Sequence, residues 1–298
     1  MSLVINNNLM ALNATRNLNN AYGSLATSVR RLSSGLRVET AADDAAGLAI
    51  RELMRADIAT MRQGIRNAND AISMVQVAEG ALAVIDEKLI RMKELAEQAA
   101  TGTYNSTQRL MIESEYQAMA SEITRIANAT DFNGVKLLDG TLSGSHDGSK
   151  LEATGALKIH FGVGNDSAED YYYIEIGSST ASSLGLGNQS ATGADVAGFS
   201  ISTQSAAQTA LDAINEAIIS KDKIRAALGA LQNRLENTIT NLQTTAENLQ
   251  AAESRISDVD VATEMTAFVR AQILTQSAVA MLSQANSLPQ MAMQLIGG

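Results

Sequence analysis

His146 and His160 are the only imidazoles in this chain of 298 residues, which has no cysteine. That excludes disulfides, thiolate metal sites and cysteine nucleophiles, and two histidines leave little for a zinc site. No His-Glu-x-x-His segment occurs, so the helix-borne zinc chemistry of metalloproteases is not encoded. Asp166, Glu169 and Asp170 are close in sequence, but their spacing is not that of a calcium loop and they read as a solvated hairpin loop. Gly162-Val-Gly164-Asn and Gly185-Leu-Gly187-Asn begin like phosphate-cradling loops. Neither has a third glycine or a Gly-Lys-Ser/Thr ending, so both read as turns. Asn105-Ser-Thr107 is a triplet expected by chance, and the serines and threonines of 177–203 are better candidates for O-linked sugar. The sequence therefore predicts no catalytic residue, cofactor or metal.

The elements that carry these residues are mostly helical. Apolar side chains recur at Ile58, Met61, Ile65, Ala68, Ile72 and Val75, then at Ala78, Leu82, Ile85, Leu89, Met92 and Ala96. Alternating steps of three and four make this a coiled-coil seam with one phase shift after Val75. It predicts a helix over about 43–100, roughly 85 Å long at 1.5 Å per residue. Thr40 is the expected N-cap, with Asp43 and Asp44 in the first turn. A second helix is expected over 106–129, then a turn at Asp131-Phe-Asn-Gly134. Residues 140–200 are rich in Gly and Ser. Within them Leu157–Val163 and Tyr171–Ile176 alternate as strands of a β-hairpin. A last long helix is expected over 205–256, with a seam at Leu228, Leu231, Leu235, Thr238, Leu242, Thr245, Leu249, Ala252 and Ile256. Either seam alone would expose an apolar stripe, so the two long helices should pair.

The balance of 22 basic against 32 acidic side chains shows no basic stripe, and no nucleic-acid partner is expected. No apolar run is long enough to insert in a membrane. The opening Met1-Ser-Leu-Val-Ile-Asn-Asn-Asn is not a signal peptide of the general secretory type. Aromatics are 3% of residues, with no tryptophan, which suits helices packed along narrow seams. The two ends stand apart. Residues 2–29 carry one charge, Arg16, and 271–298 carry none. Such helices lack the charged face that keeps a lone surface helix in water. They either form an ordinary core or order when copies assemble, meeting the entropic cost of folding on binding.

Several segments together resemble bacterial flagellin. They are Arg31-Leu-Ser-Ser-Gly-Leu-Arg37, Ala42-Asp-Asp-Ala-Ala-Gly47, Arg66-Asn-Ala-Asn-Asp-Ala-Ile-Ser73, Glu79-Gly-Ala-Leu82, Glu94-Leu-Ala96 and Phe132-Asn-Gly-Val-Lys136. Near the other end are Asn248-Leu-Gln-Ala-Ala-Glu-Ser-Arg-Ile-Ser-Asp-Val-Asp260, Gln284-Ala-Asn286 and Pro289-Gln290. The resemblance covers about 1–140 and 200–298. It implies a mainly α fold, with long antiparallel coiled-coil helices from the N- and C-terminal regions and a small β-hairpin region in the middle. An inner terminal domain of 1–42 plus 257–298 would line a central channel. A helical rod of 43–139 plus 200–256 would carry the hairpin region, 140–199, with no large outer domains. The implied protein is not an enzyme. It is a secreted structural subunit that polymerises with its own copies into the extracellular flagellar filament used for swimming.

The resemblance also implies type III export, a flagellar export chaperone on the C-terminal region, and filament cap and hook-junction proteins as partners. Ser33, Ser34, Gly35, Leu36 and Arg37 would be an inter-domain hinge, or a plain helix break. Arg91, Leu95 and Glu115 would be a subunit-packing patch open to a vertebrate Toll-like receptor, with Ile90 where a glutamine is common. Met293, Leu295 and Ile296 would serve terminal assembly and an immune sensor. A hook–filament junction protein of the same superfamily, or a secreted helical binding protein, are the alternative readings.

Overall fold

The computed structural model describes residues 8–149, 154–167, 169–187, 198 and 200–296, with the side chains of the last helix described through 287 and at 291. Its helices are α1 (Leu9–Ser34), α2 (Ala45–Ala100), α3 (Ser106–Ala129), α4 (Gln204–Ser257) and α5 (Val261–Ile296). Its strands are β1 (Asp131–Phe132), β2 (Val135–Lys136), β3 (Leu157–His160) and β4 (Tyr171–Ile174). The chain divides into two compact units, 59–246 and 1–58 with 247–298. The expected boundaries near 42 and 257 lie at helix ends, whereas these units divide within α2 and α4.

In the unit 59–246 the seam of α2 is the core. Ala68, Val75, Ala78, Leu82, Ile85, Leu89, Met92 and Ala96 are all buried. They share one apolar cluster with Ala207, Ala210, Ile214, Ala217, Leu228 and Leu235 of α4, and with Tyr116, Ile123 and Ala127 of α3. The long helices pair as expected, and they run antiparallel, because Lys221 meets Asp86 while Arg225, one turn on, meets Glu79. The buried seam of α4 begins at Ala207, well before Leu228. Its first positions are mainly alanines, whose small side chains give a weak apolar signal but permit close helix approach.

Helix ends follow capping chemistry. Asn105 caps α3 by accepting from the Gln108 amide, while the Gln108 side chain accepts from the Asn105 amide. The cap of α2 corrects the expected Thr40: the Asp44 carboxylate accepts from the Gly47 amide at 2.9 Å. Thr40 instead closes a turn with Asp43 ahead of the helix, donating to its carboxylate from both N–H and hydroxyl.

β1 and β2 form a hairpin whose two-residue loop, Asn133-Gly134, has φ of 51° and 83°. Asn-Gly is the pair that tolerates two successive left-handed residues. β3 and β4 pair antiparallel with Leu157 opposite Ile174 and His160 opposite Tyr171. The ladder is shorter than the alternation suggested, because the amides of Phe161 and Gly162 both donate to the Asp170 carbonyl and end it in a bulge. This hairpin lies with its backbone on α2. Asn67 Nδ2 donates to the His160 carbonyl at 2.8 Å, and a Cβ on Gly64 would sit 2.0 Å from the Phe161 carbonyl oxygen.

In the unit 1–58 with 247–298, α1 and α5 form an antiparallel pair. Asn8 Nδ2 donates to the Ala285 carbonyl at 2.8 Å, and Arg31 reaches Glu264 at 3.6 Å near the opposite end. The helix breaks are tied together. Leu36 and Asp258 form an antiparallel bridge, the Arg37 amide donates to the Ser257 carbonyl, and the Val259 amide donates to the Gly35 carbonyl.

Candidate assembly site

Among the described side chains, α1 and α5 fully bury only small residues, half-bury Leu18, Leu25, Leu32, Phe268 and Leu282, and leave a further set of large apolar residues exposed. The buried positions of this pair are Ala21, Ser28, Ala271, Thr275 and Ala285. Leu9, Leu12, Val29, Val261, Val269, Ile273 and Leu274 remain exposed. Small residues let the two backbones approach closely, so the contact is narrow and much of the hydrophobic area stays outside it. A groove of about 690 Å³ runs between the helices, lined by Met10, Asn17, Ala21, Leu274, Met281 and Gln284 among others. Its polar lining is neutral amides and serine hydroxyls, which can be covered without burying an unpaired charge.

Charge is concentrated at the helix breaks instead. Arg30 pairs with Glu39 at 3.3 Å and Asp43 at 3.0 Å. Hydrogen bonds from the Thr40 amide and hydroxyl hold the Asp43 carboxyl below the usual carboxylate range, and the Arg30 charge adds to this. Asp260 is lowered by the Thr263 hydroxyl and the first amides of α5. Arg51, buried, donates to the Val38 carbonyl at 2.8 Å. Of the expected hinge residues, Ser33 and Ser34 end α1. Gly35 is its left-handed cap at φ 74°, and Leu36 and Arg37 are the bridge to the second break. A hinge model built on one linker therefore has to include 256–260 as well.

The expected patch on α2 and α3 separates into two layers. Arg91 donates from Nε and Nη2 to Glu115, at 2.9 and 2.7 Å, and both side chains are exposed. Leu95 is 1% exposed and lies in the core beside Met92 and Ala96, beneath the exposed pair. Ile90 and Glu94 are exposed on the same stretch of helix. Helix α5 passes through Met293, Leu295 and Ile296, whose side chains lie outside the described residues.

The residues with possible chemistry have structural partners. His146 donates from Nδ1 to the Ala156 carbonyl at 2.7 Å and lies against Tyr173, while His160 stacks on Tyr171. The Asp170 carboxylate accepts from the amides of Asp166 at 2.8 Å and Gly164 at 3.2 Å, so the glycine loop closes on its own acid. These bonds, the Asp166 amide first, hold Asp170 below the usual carboxylate range. No group of three or more potential metal ligands is found among the described residues. The sugar-acceptor candidates of 188–197 lie outside the described residues.

One prominent residue was missed in the sequence. Lys221 falls on the seam of α4, seven residues from both Ile214 and Leu228, with its side chain 2% exposed. It pairs with Asp86 at 2.5 Å and Asp222 at 2.7 Å. Carrying the seven-residue spacing back from Leu228 would have found it.

Long paired helices, with exposed large apolar side chains on the described parts of the terminal helices and no cluster of potential metal ligands among the described residues, have the character of a structural protein. The known proteins specify which kind. The bacterial flagellin N-terminal helical region matches residues 5–143, and the bacterial flagellin C-terminal helical region matches 211–296. A flagellin of Halalkalibacterium halodurans is 42% identical over 294 residues, 99% of this chain and 100% of that one. The flagellar filament 33 kDa core protein of Treponema phagedenis is 40% identical over the same shares. A flagellar hook-associated protein structure from Vibrio parahaemolyticus shares the fold alone, at 14% identity and a TM-score of 0.54, covering 72% of this chain and 100% of that one. The chain belongs to the bacterial flagellin family, a family of structural proteins.

Proposed function

We infer that this chain is a structural subunit of the bacterial flagellar filament, and that α1 and α5 are its joining surfaces. The observation that carries the second statement is the set of large apolar side chains that these helices leave exposed, among them Leu9, Leu12, Val29, Val269, Ile273 and Leu274. Electron microscopy of concentrated purified protein tests it: filaments are expected. Leu274→Glu should abolish them while the subunit's circular dichroism stays unchanged, since the side chain is exposed. Filaments of normal length from that variant would exclude this surface from the joint.

Further assignments rest on the family and on compatible geometry. The terminal helices, 1–42 with 257–298, pack around a central channel, and 43–139 with 200–256 form the rod that carries 140–199. The subunit leaves the cell through the flagellar type III apparatus and joins the extracellular filament. The export chaperone holds the C-terminal segment, and cap and hook-junction proteins meet the filament ends. Arg91 and Glu115, with Leu95 beneath, form a lateral packing patch that a Toll-like receptor reads on the free subunit. Met293, Leu295 and Ile296 serve axial packing and an immune sensor. Residues 33–37 act as a hinge together with the break at 256–260.

The hinge has a clean test, because a Cβ on Gly35 meets nothing within 4 Å. Gly35→Ala therefore adds only left-handed strain, ~1 kcal/mol. Altered filament curvature by electron microscopy is expected, and Gly35→Asn, which tolerates that conformation, should restore it. Identical filaments from all three proteins would remove the hinge.

A further inference from the structure

The chain has 12 methionines, no cysteine and no tryptophan, so its thioethers are its most readily oxidised side chains. They are not evenly placed. Met74 and Met92 are fully buried in the α2 seam. Met10 on α1 and Met281 on α5 are 48% and 64% exposed, and both line the groove between those helices, whereas Met265 and Met291 of α5, also exposed, lie outside its lining. They belong to the apolar surface that the filament reading covers with another copy. Methionine suits such a surface because its flexible thioether fills irregular gaps. The same sulfur, before assembly, is open to solvent.

We propose that Met10 and Met281 are oxidation sites that gate assembly of the free subunit, an inference that rests on the filament reading of α1 and α5. The thioether sulfur attacks one oxygen of hydrogen peroxide, the O–O bond breaks, and water leaves as the sulfoxide forms. Sulfur is oxidised by two electrons and peroxide is reduced. The product is a chiral, polar group on a surface that must become dry. A strong acceptor then either stays unpaired in the joint or takes hydrogen bonds that the groove amides make elsewhere. Incorporated subunits are shielded, so the device acts between folding and incorporation and is reversible by methionine sulfoxide reductases.

The test treats the full-length free subunit with hydrogen peroxide, maps added oxygen by peptide mass spectrometry, and measures elongation from filament seeds. Expected are sulfoxide at Met10 and Met281, unmodified Met74 and Met92, and an elongation rate lower by about tenfold. Reductase treatment should restore it. The Met10→Leu/Met281→Leu subunit should elongate at its untreated rate after peroxide. Met111→Leu, which removes a 69% exposed methionine on α3, should remain as sensitive as the unsubstituted protein. Undiminished elongation with both sites oxidised, or equal sensitivity of the double variant, overturns the proposal. Should the double variant fail to elongate even untreated, the reductase time course decides. Recovery that tracks sulfoxide at Met10 and Met281 supports the sites, and recovery that tracks other methionines removes them. Untreated unsubstituted protein that does not elongate overturns the filament reading and this proposal with it.

Discussion

Lys221 occupies a place where coiled coils put leucine or valine, two heptads from Ala207 and from Leu235. A charge at a seam position lowers stability but disfavours other registers. Along α2 its partner Asp86 has Glu79 seven residues before it and Lys93 seven after. A slip by one heptad in one direction would bring Lys221 to Lys93, and in the other would strip Arg225 of Glu79. Lys221→Ala should destabilise the subunit by about 3 kcal/mol, since it strands Asp86 and opens a cavity. Lys221→Met should lose less, because it strands Asp86 alike but keeps the volume and apolar stem. Urea unfolding followed by circular dichroism separates the two, and equal losses would mean that volume plays no part. Asp170 gives a second expectation. Its folded value lies below the unfolded one, so its contribution is fully present above about pH 4 and is lost as pH falls through the folded value. Asp170→Asn should lower the neutral plateau of the melting temperature and flatten its acid limb, measured between about pH 2 and 5, with the two proteins converging in acid.

Among the elements, the β3–β4 hairpin depends on one missing side chain. Gly64→Ala would push a methyl into backbone at Phe161, which cannot rotate away, and the hairpin must lift from α2. An overpacking loss of about 1–3 kcal/mol is expected, with altered tyrosine fluorescence because Tyr172 packs on Phe161. An unchanged melting temperature would show the hairpin free to shift. Of these elements, α2, α3, the β3–β4 hairpin and the turn at Asn133-Gly134 were legible, since periodicity, strand alternation and Asn-Gly are local signals, whereas the two-residue strands β1 and β2 are too short to show alternation. The start of the α4 seam was not, because its alanines and Lys221 do not score as apolar. Asp44 was hidden behind Thr40, as two capping residues within one turn are equivalent until the chain direction is known. The burial of Leu95 was not legible, because the seam steps from Met92 to Ala96 and Leu95 lies beside it. The exposed apolar face of α1 and α5 was only half legible. Neutrality showed that these helices need cover, but not which residues face it.

At the scale of the whole molecule the two compact units differ in how their apolar area is spent. The unit 59–246 encloses a continuous core, whereas α1 and α5 leave many of their large apolar side chains in solvent. Trypsin should therefore cut the free subunit first at Arg16 and Arg270, both exposed on those helices, and leave 59–246 resistant. Peptide mapping should show both cuts suppressed in filaments. Early cleavage within 59–246 would contradict this order. The outward-facing leucines, isoleucines and methionines also tie the order of the ends to how much protein is present. Their water is released only when another copy arrives, so ordering the ends and joining the polymer are one equilibrium. Such a subunit behaves as a solute at its solubility limit. Below a threshold, added chains stay dissolved with loosely held ends. Above it, every further chain enters the filament phase, and the dissolved concentration stays pinned.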